Sequence, residues 1–239
     1  MRGNTAPMAS QSRANRILLT RPADQGARFA DDLRVRFGHR AEITESPLIA
    51  PRFLTPILPD GPFDAVIFTS ETAIAAASQW LGLPRITFTV GDRTAIAARA
   101  AGFTAQSANG DAAALVDLVT DAKPGRVLHL HGQDTRGDVV GHLRRAGLRA
   151  EGVVVYTQDP QPLTPLARHW LHDAHPVIVP LFSPRTATLF STHAATAPLW
   201  LASLSPATDH AATCPAARRV TATRPDAAAM LDAIASLLG

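Results

Sequence analysis

Six short stretches of the chain place hydroxyls, glycines or arginines where an apolar run gives way to a helical pattern. They are Thr20-Arg21-Pro22, Thr69-Ser70-Glu71, Gly91-Asp92-Arg93-Thr94, Gly132-Gln133, Ser183-Pro184-Arg185 and Ser205-Pro206-Ala207-Thr208. Taken singly, a Ser or Thr there is an ordinary helix cap, accepting a bond from a backbone N–H of the first turn. Taken together, they line the carboxyl edges of parallel sheets, where α/β folds bind their ligands. Helix N-termini present free N–H groups and the positive end of a dipole, so the chemistry on offer is recognition of carboxylate or phosphate. Tyr156, the chain's one tyrosine, closes the apolar run "GVVVY". A phenol there packs by default, or it donates a proton into a ligand site.

Other chemistries lack their residues. No G-x-G-x-x-G follows a strand, and neither a Walker A stretch nor a G-x-S-x-G elbow occurs. His169, His172 and His175 recur around Asp173, with His129 and His131 elsewhere. Metal ligation needs convergent geometry, usually with cysteine or carboxylate help, so these histidines read as a solvated helix end and no metal site is expected. Cys214 has no local signature of a nucleophile. As the sole cysteine it excludes an internal disulfide and fits a reducing compartment.

The net charge is only +3, and Lys123 is the one lysine beside many arginines. Without a basic run or an aromatic-interleaved stripe, small anionic ligands are expected rather than nucleic acid. The first 15 residues, "MRGNTAPMASQSRAN", lack the apolar core of a signal peptide and are expected to be a disordered tail. No apolar stretch approaches the ~20 residues of a membrane span. A cytoplasmic protein, not bound to membrane, is expected.

The elements that position these residues repeat. "DAAALVDLV" at 111–119 returns as "DAAAMLDAI" at 226–234; Thr94 matches Thr208, and "VIFTS" ending at Ser70 matches "VPLFS" ending at Ser183. A second pair joins 16–42 to 126–151, "RILLTRPADQGARFADDLRVRFGHRAE" against "RVLHLHGQDTRGDVVGHLRRAGLRAE". The chain thus reads a, b, a′, b′. Unit a predicts a strand "RILLT", a helix with Phe29, Leu33 and Phe37 on one face, a stop at Gly38 and a strand "AEIT". Unit a′ repeats it with "RVLHLH", a helix through Val139 and Leu143, a stop at Gly147 and "GVVVY". Unit b adds "DAVIFT" with a helix through Ile74, Ala77 and Leu81, "ITFTV" with the Thr94 helix, and "FTAQS" with the Leu115 helix. Unit b′ follows with "PVIVPLF", "LWLASLS" and "RVTAT". Alternating short apolar strands and helices predict α/β architecture, with parallel sheets covered on both faces. An a plus a b supplies the five strands of a flavodoxin-like doubly wound sheet.

Proline placement predicts which halves combine. Pro47, Pro51, Pro56, Pro59 and Pro62 stud the passage from a to b, and "TQDPQPLTP" separates a′ from b′, whereas only "DAKPG" joins b to a′. Stiff extended segments suit crossings between domains and short turns suit connections within one. The expected domains are 16–48 plus 163–237, discontinuous, and 57–156, with linkers at 49–56 and 157–162. Two sequential domains are the simpler alternative. Facing domains would leave a cleft suited to a ligand with several anionic groups.

In order along the chain, "LLTRP", "AVIFTSETA", "VGDRTAIAARAAGF", "LHLHGQDTRGD…LRRAGLRAEGVVVY", "LFSPRTA" and "SLSPATDHAA" resemble the uroporphyrinogen-III synthase family over about 16–236. The chain departs from the family's pattern at Ser205, where a glycine often stands, at Asp209-His210, and at His131, where an arginine is common. The resemblance implies two α/β domains, one discontinuous, joined by a two-stranded connector. It implies a cyclising lyase of tetrapyrrole biosynthesis, acting on hydroxymethylbilane with loss of water and inversion of ring D, and needing no metal or organic cofactor. The strand-exit residues Thr20, Arg21, Thr69, Ser70, Gly91, Thr94, Gly132, Ser183 and Thr208 are then expected to bind the substrate's carboxylates, and the resemblance implies Tyr156 as the proton donor to the departing hydroxide. A monomer is expected. A binding protein for a polyanionic metabolite, without chemistry, is the alternative from a different class.

Overall fold

The computed structural model describes residues 14–135 and 137–238. From its N-terminal end the chain runs β1 (Asn15–Leu19), α1 (Ala23–Phe37), β2 (Ala41–Glu45), β3 (Ile49–Phe53), β4 (Ala65–Phe68), α2 (Glu71–Ala77), β5 (Ile86–Thr89) and α3 (Asp92–Ala100). It continues with β6 (Thr104–Ser107), α4 (Ala112–Ala122), β7 (Arg126–Gly132), α5 (Val139–Arg145), β8 (Arg149–Pro160) and α6 (Pro165–Leu171). The last elements are β9 (Val177–Leu181), α7 (Pro184–Ser191), β10 (Leu199–Ser203), α8 (Pro206–Ala211), β11 (Arg218–Thr221) and α9 (Ala227–Leu238). Two compact units form. Unit 1 holds the described residues up to Ala50 and from Pro160 onward; unit 2 is Pro51–Asp159.

Unit 1 is a parallel sheet in the order β11-β10-β9-β1-β2. Counted from β1 within the unit, this is the doubly wound order 2-1-3-4-5. Period-two alternation splits β1 between two cores: Leu18 faces one with Trp170, Val179 and Phe190, while Ile17 and Leu19 face the other with Phe29, Leu33 and Ile234. Phe29, Leu33 and Phe37 recur every fourth residue and bury one stripe of α1, each contributing roughly 1.5–3 kcal/mol by leaving water. Gly38 then ends the helix at φ 53, a left-handed backbone that glycine adopts without steric cost. Pro180 lies inside a central strand, an unusual place for a residue with no N–H to donate. The ladder with β1 covers Val177 and Ile178 and stops before it.

Unit 2 is ordered β3-β8-β7-β4-β5-β6, with parallel ladders from β8 to β6. Counted from β7, its five parallel strands again run 2-1-3-4-5, so the unit is the same sheet with its chain start moved. The sequence repeats fall on equivalent elements. Ser70 and Ser183 cap α2 and α7, Thr94 and Thr208 are the third residues of α3 and α8, and Asp111 and Asp226 each accept a bond at the start of α4 and α9.

Local structure departs from the sequence reading in three places. The helix expected through Leu81 stops at Ala77, because the Ser78 hydroxyl and the Gln79 amide donate to the carbonyls of Ala75 and Ala76; Leu81 is left fully exposed. The segments 49–56 and 157–162, expected from their prolines as extended linkers, are largely strand, as the two-stranded connector implied by the resemblance would be. Backbone bonds join Gln161 to Leu48 and Leu54 to Val155, an antiparallel register, and Pro51 is tolerated because β3 is an edge strand. The expected tail at 1–15 falls outside the described residues up to 13, and Asn15 already belongs to β1.

Candidate functional site

Within unit 2, β4 leads through α2 to β5 on one side, and its neighbour β7 leads through α5 to β8 on the other. The strand order reverses between them, and ligands of open α/β sheets bind at the carboxyl edge of that reversal. A cavity of about 570 Å³ lies there. Its lining includes Thr69 and Ser70 leaving β4, His129 and Gly132 on β7, Tyr156 on β8, and Asp111 at the start of α4.

Tyr156 owes its place to an irregularity. Along β7 and β8 the register is constant from Arg126↔Arg149 to His131↔Val154, then slips so that Gly132 faces Tyr156. Consecutive strand residues normally point to opposite faces. The bulge instead puts both Val155 and Tyr156 into the core shared with Phe68, Ala73 and Ile74. The ring lies so close to Gly132 that a Cβ there would stand 2.5 Å from Cζ. The phenol oxygen is 3.0 Å from the Ser70 hydroxyl, which also accepts the Ala73 N–H at 3.1 Å as the cap of α2.

On the other face of β7, His129 is 3% exposed, with Nε2 3.4 Å from the Thr69 hydroxyl. Burial, and next the neighbouring His131 charge, pull its pKa from 6.5 down to about 3, so the imidazole is neutral at neutral pH. The two histidine rings lie 4.6 Å apart, and His131 Nδ1 sits 2.8 Å from the Gly132 carbonyl oxygen. Asp111 accepts bonds from the N–H groups of Ala113 and Ala114, so its carboxylate occupies the start of α4.

Of the sequence-predicted residues, the structure gathers Thr69, Ser70, Gly132 and Tyr156 around this cavity. Gly91 and Thr94 lie at the next strand exit, where Gly91 caps α3 without a side chain and Thr94 is buried in the first turn. The remaining four belong to unit 1 and follow three adjacent strands, β1, β9 and β10. Thr20 is buried, and Arg21 stacks its guanidinium 3.8 Å from the Phe182 ring centre while donating to Gln25 at 3.0 Å. Ser183 caps α7 and shares a 2.9 Å hydroxyl contact with Thr186; Ser205 and Thr208 repeat that pairing at 3.0 Å on α8. Sequence reasoning passed over His129, Asp111, Asp134 and Thr135 as lining residues. The signal for His129 was a polar residue inside the continuous apolar run "VLHL".

The histidines near Asp173 do not converge. Asp173 accepts from Arg16 at 2.6 Å and contacts His175 at 3.2 Å, and the first of these holds its carboxyl well below the usual range; His172 instead meets the Arg168 carbonyl. Among the described residues, no group of three or more His, Cys, Asp or Glu side chains is placed to hold a metal ion.

Comparison with known proteins gives this geometry a context. The model of the family "Uroporphyrinogen-III synthase HemD" matches residues 33–232. A solved structure of uroporphyrinogen-III synthetase from Helicobacter pylori is similar with a TM-score of 0.65 and 16% identity, covering 93% of this chain and 99% of that one. A mutant uroporphyrinogen III synthase from the extremely thermophilic bacterium Thermus thermophilus is similar at a TM-score of 0.47 and 15% identity, covering 94% and 99%. No curated protein matches the chain by sequence. The Helicobacter pylori structure speaks for the fold, and the family match, spanning most of the chain, makes it a member of the uroporphyrinogen-III synthase family, the cyclising lyases of porphyrin biosynthesis.

Proposed function

We propose that this protein closes hydroxymethylbilane, a linear chain of four pyrroles each bearing an acetate and a propionate, into uroporphyrinogen III. The observation that carries the reading, beyond family membership, is the chain's one tyrosine lining the switch-point cavity with its oxygen tethered at 3.0 Å. Its phenol protonates the terminal hydroxyl as the nitrogen of the same pyrrole expels it, releasing water and leaving an azafulvene cation. Attack on the substituted carbon of ring D gives a spirocyclic intermediate, which fragments and recloses with that ring inverted. The electron push comes from the substrate's own nitrogens, so the chemistry calls on no metal or organic cofactor.

The protein's task is to fold a flexible chain so that the substituted carbon is attacked, which is catalysis by orientation. We assign the substrate's carboxylates to backbone N–H groups at the strand-exit loops. Thr69, Ser70, Gly91, Thr94 and Gly132 mark those of unit 2, and Thr20, Arg21, Ser183 and Thr208 mark those of unit 1. Supporting this are the uncapped first turn of α3 at Gly91 and the position of these residues on the carboxyl edges of parallel sheets. The reading is of a monomer working in the cytoplasm on a small molecule, apart from nucleic acid and membrane. It is supported by the small net charge and the lone, buried cysteine; among the described residues no helix is long and apolar enough to cross a membrane. The test is incubation with hydroxymethylbilane and isomer analysis of the oxidised product. Uncatalysed closure gives type I. Type III is expected here, and type I alone would refute the reading.

A further inference from the structure

Three observations converge on the phenol of Tyr156. The bulge after His131 turns it to the face of α2, the missing Cβ of Gly132 leaves room for its ring, and the Ser70 hydroxyl meets its oxygen at 3.0 Å. Ser70 is also the cap of α2, with its oxygen accepting the Ala73 N–H. A hydroxyl has one proton to give. The helix N–H takes one lone pair of Ser70 and leaves its proton available to the phenol oxygen whenever the phenol's own proton points to substrate.

We propose that Ser70 is a positioning residue for the ring-closing reaction: it holds and polarises Tyr156 from the N-terminus of α2, with Gly132 as the seat of the ring, rather than gripping a substrate carboxylate. The proposal rests on the function assigned above. In the step it serves, the phenol O–H bond breaks and its proton goes to the terminal hydroxyl of the substrate. The carbon–oxygen bond breaks with its electron pair on that oxygen, and water leaves. The phenolate that remains accepts the Ser70 O–H bond until it takes back the proton lost by the substrate on rearomatisation, so the enzyme ends as it began. A hydrogen bond that strengthens as charge develops assists the step more than the resting state.

The experiment separates this role from simple capping. Ser70→Ala removes the cap and the bond to the phenol together, and a lost bond to a developing charge is expected to slow turnover at saturation by up to about tenfold, with little change in KM. The Tyr156→Phe, Ser70→Ala double variant should be no slower than Tyr156→Phe alone, because Ser70 acts through the phenol. Ser70→Asp restores the cap but offers no proton, so it should recover thermal stability and not turnover, whereas Ser70→Thr recovers both. As the chain has one tyrosine, protein labelled with 13Cζ-tyrosine gives one resonance that reports the phenol's hydrogen bonding without any substrate. It should move in Ser70→Ala and stay in Thr164→Ala, which removes a side-chain cap of the same kind from α6 in unit 1. Losses that multiply in the double variant, or a resonance unmoved by Ser70→Ala, would overturn the proposal. A wild-type protein that makes no type III isomer, yet shows the resonance shift, would refute the assigned function and leave the Ser70–Tyr156 contact standing.

Discussion

The two units are one sheet written twice, and their carboxyl edges differ in what their hydroxyls do. In unit 1, Ser183 and Ser205 each cap a helix and pair with the threonine three residues on, at 2.9 and 3.0 Å. The hydroxyls of that edge are spent on each other. In unit 2 the equivalents diverge: Ser70 has Ala73 three residues on and turns to Tyr156, while Gly91 leaves the first turn of α3 without a side-chain cap. The same scaffold thus carries one edge whose hydroxyls pair with each other and one whose cap turns to a tyrosine beside a cavity. Losing one threonine, gaining one glycine and inserting one bulged residue account for the change.

The contrast is broken most sharply at the glycines. Gly132→Ala puts a methyl within 2.5 Å of the Tyr156 ring, whereas Gly91→Ala meets nothing within 4 Å. Overpacking costs about 1–3 kcal/mol, and a displaced phenol loses its oxygen's partner as well. Gly132→Ala is therefore expected to lower stability by about 1–3 kcal/mol and to cost at least the roughly tenfold in kcat/KM that losing the phenol hydroxyl costs. Steady-state rates on folded protein check it.

A smaller effect separates the interiors. His129 is held neutral, with a pKa of about 3 against 6.5 in the unfolded chain. Above pH 6.5 both states are neutral and its contribution to stability is complete. As pH falls below 6.5 the unfolded chain takes up the proton first, and stability drains away until the folded pKa is passed. Between pH 6.5 and 5 the loss is roughly 2 kcal/mol at 1.36 kcal/mol per unit. Urea unfolding at pH 7 and pH 5 should show His129→Gln losing less than wild type; an equal loss in both would place the acid sensitivity elsewhere.

These differences mark how far the sequence could be read. Fold class was legible because it rests on periodicity: "RILLT", the Phe29-Leu33-Phe37 stripe and the left-handed stop at Gly38 are local signals. The reach of α2 was not, because apolar spacing through Leu81 continues past the point where Ser78 and Gln79 draw off the helix carbonyls. The direction of Tyr156 was equally hidden. Alternation along "GVVVY" assigns it to one face, and a slip of register with β7, which no local pattern records, assigns it to the other. His129 was visible as a residue and not as part of a cavity, since the cavity is made by strands, helices and loops spread from Thr69 to Tyr156.

Hydroxyls at the strand exits test the sharing of load. Thr94→Ala, Ser183→Ala and Thr208→Ala should each cost about tenfold in catalytic efficiency or less, the worth of one hydrogen bond. Backbone N–H groups remain in each variant. Total loss in one folded variant would replace a distributed grip by a single essential group. Gly91→Ala should be the mildest, with near wild-type turnover, because the N–H groups of α3 stay and the added methyl meets open space.

The division of labour itself, proton delivery by Tyr156 and isomer choice by the fold of the bound substrate, is tested most directly by Tyr156→Phe. The measurement is the rate of hydroxymethylbilane consumption together with the type III to type I ratio of the enzymatic product. The account predicts consumption slowed about tenfold, because the hydroxide leaves readily without full protonation, and type III still predominating. A product turned to type I at an unchanged rate would contradict it, placing isomer choice at the phenol and proton delivery elsewhere.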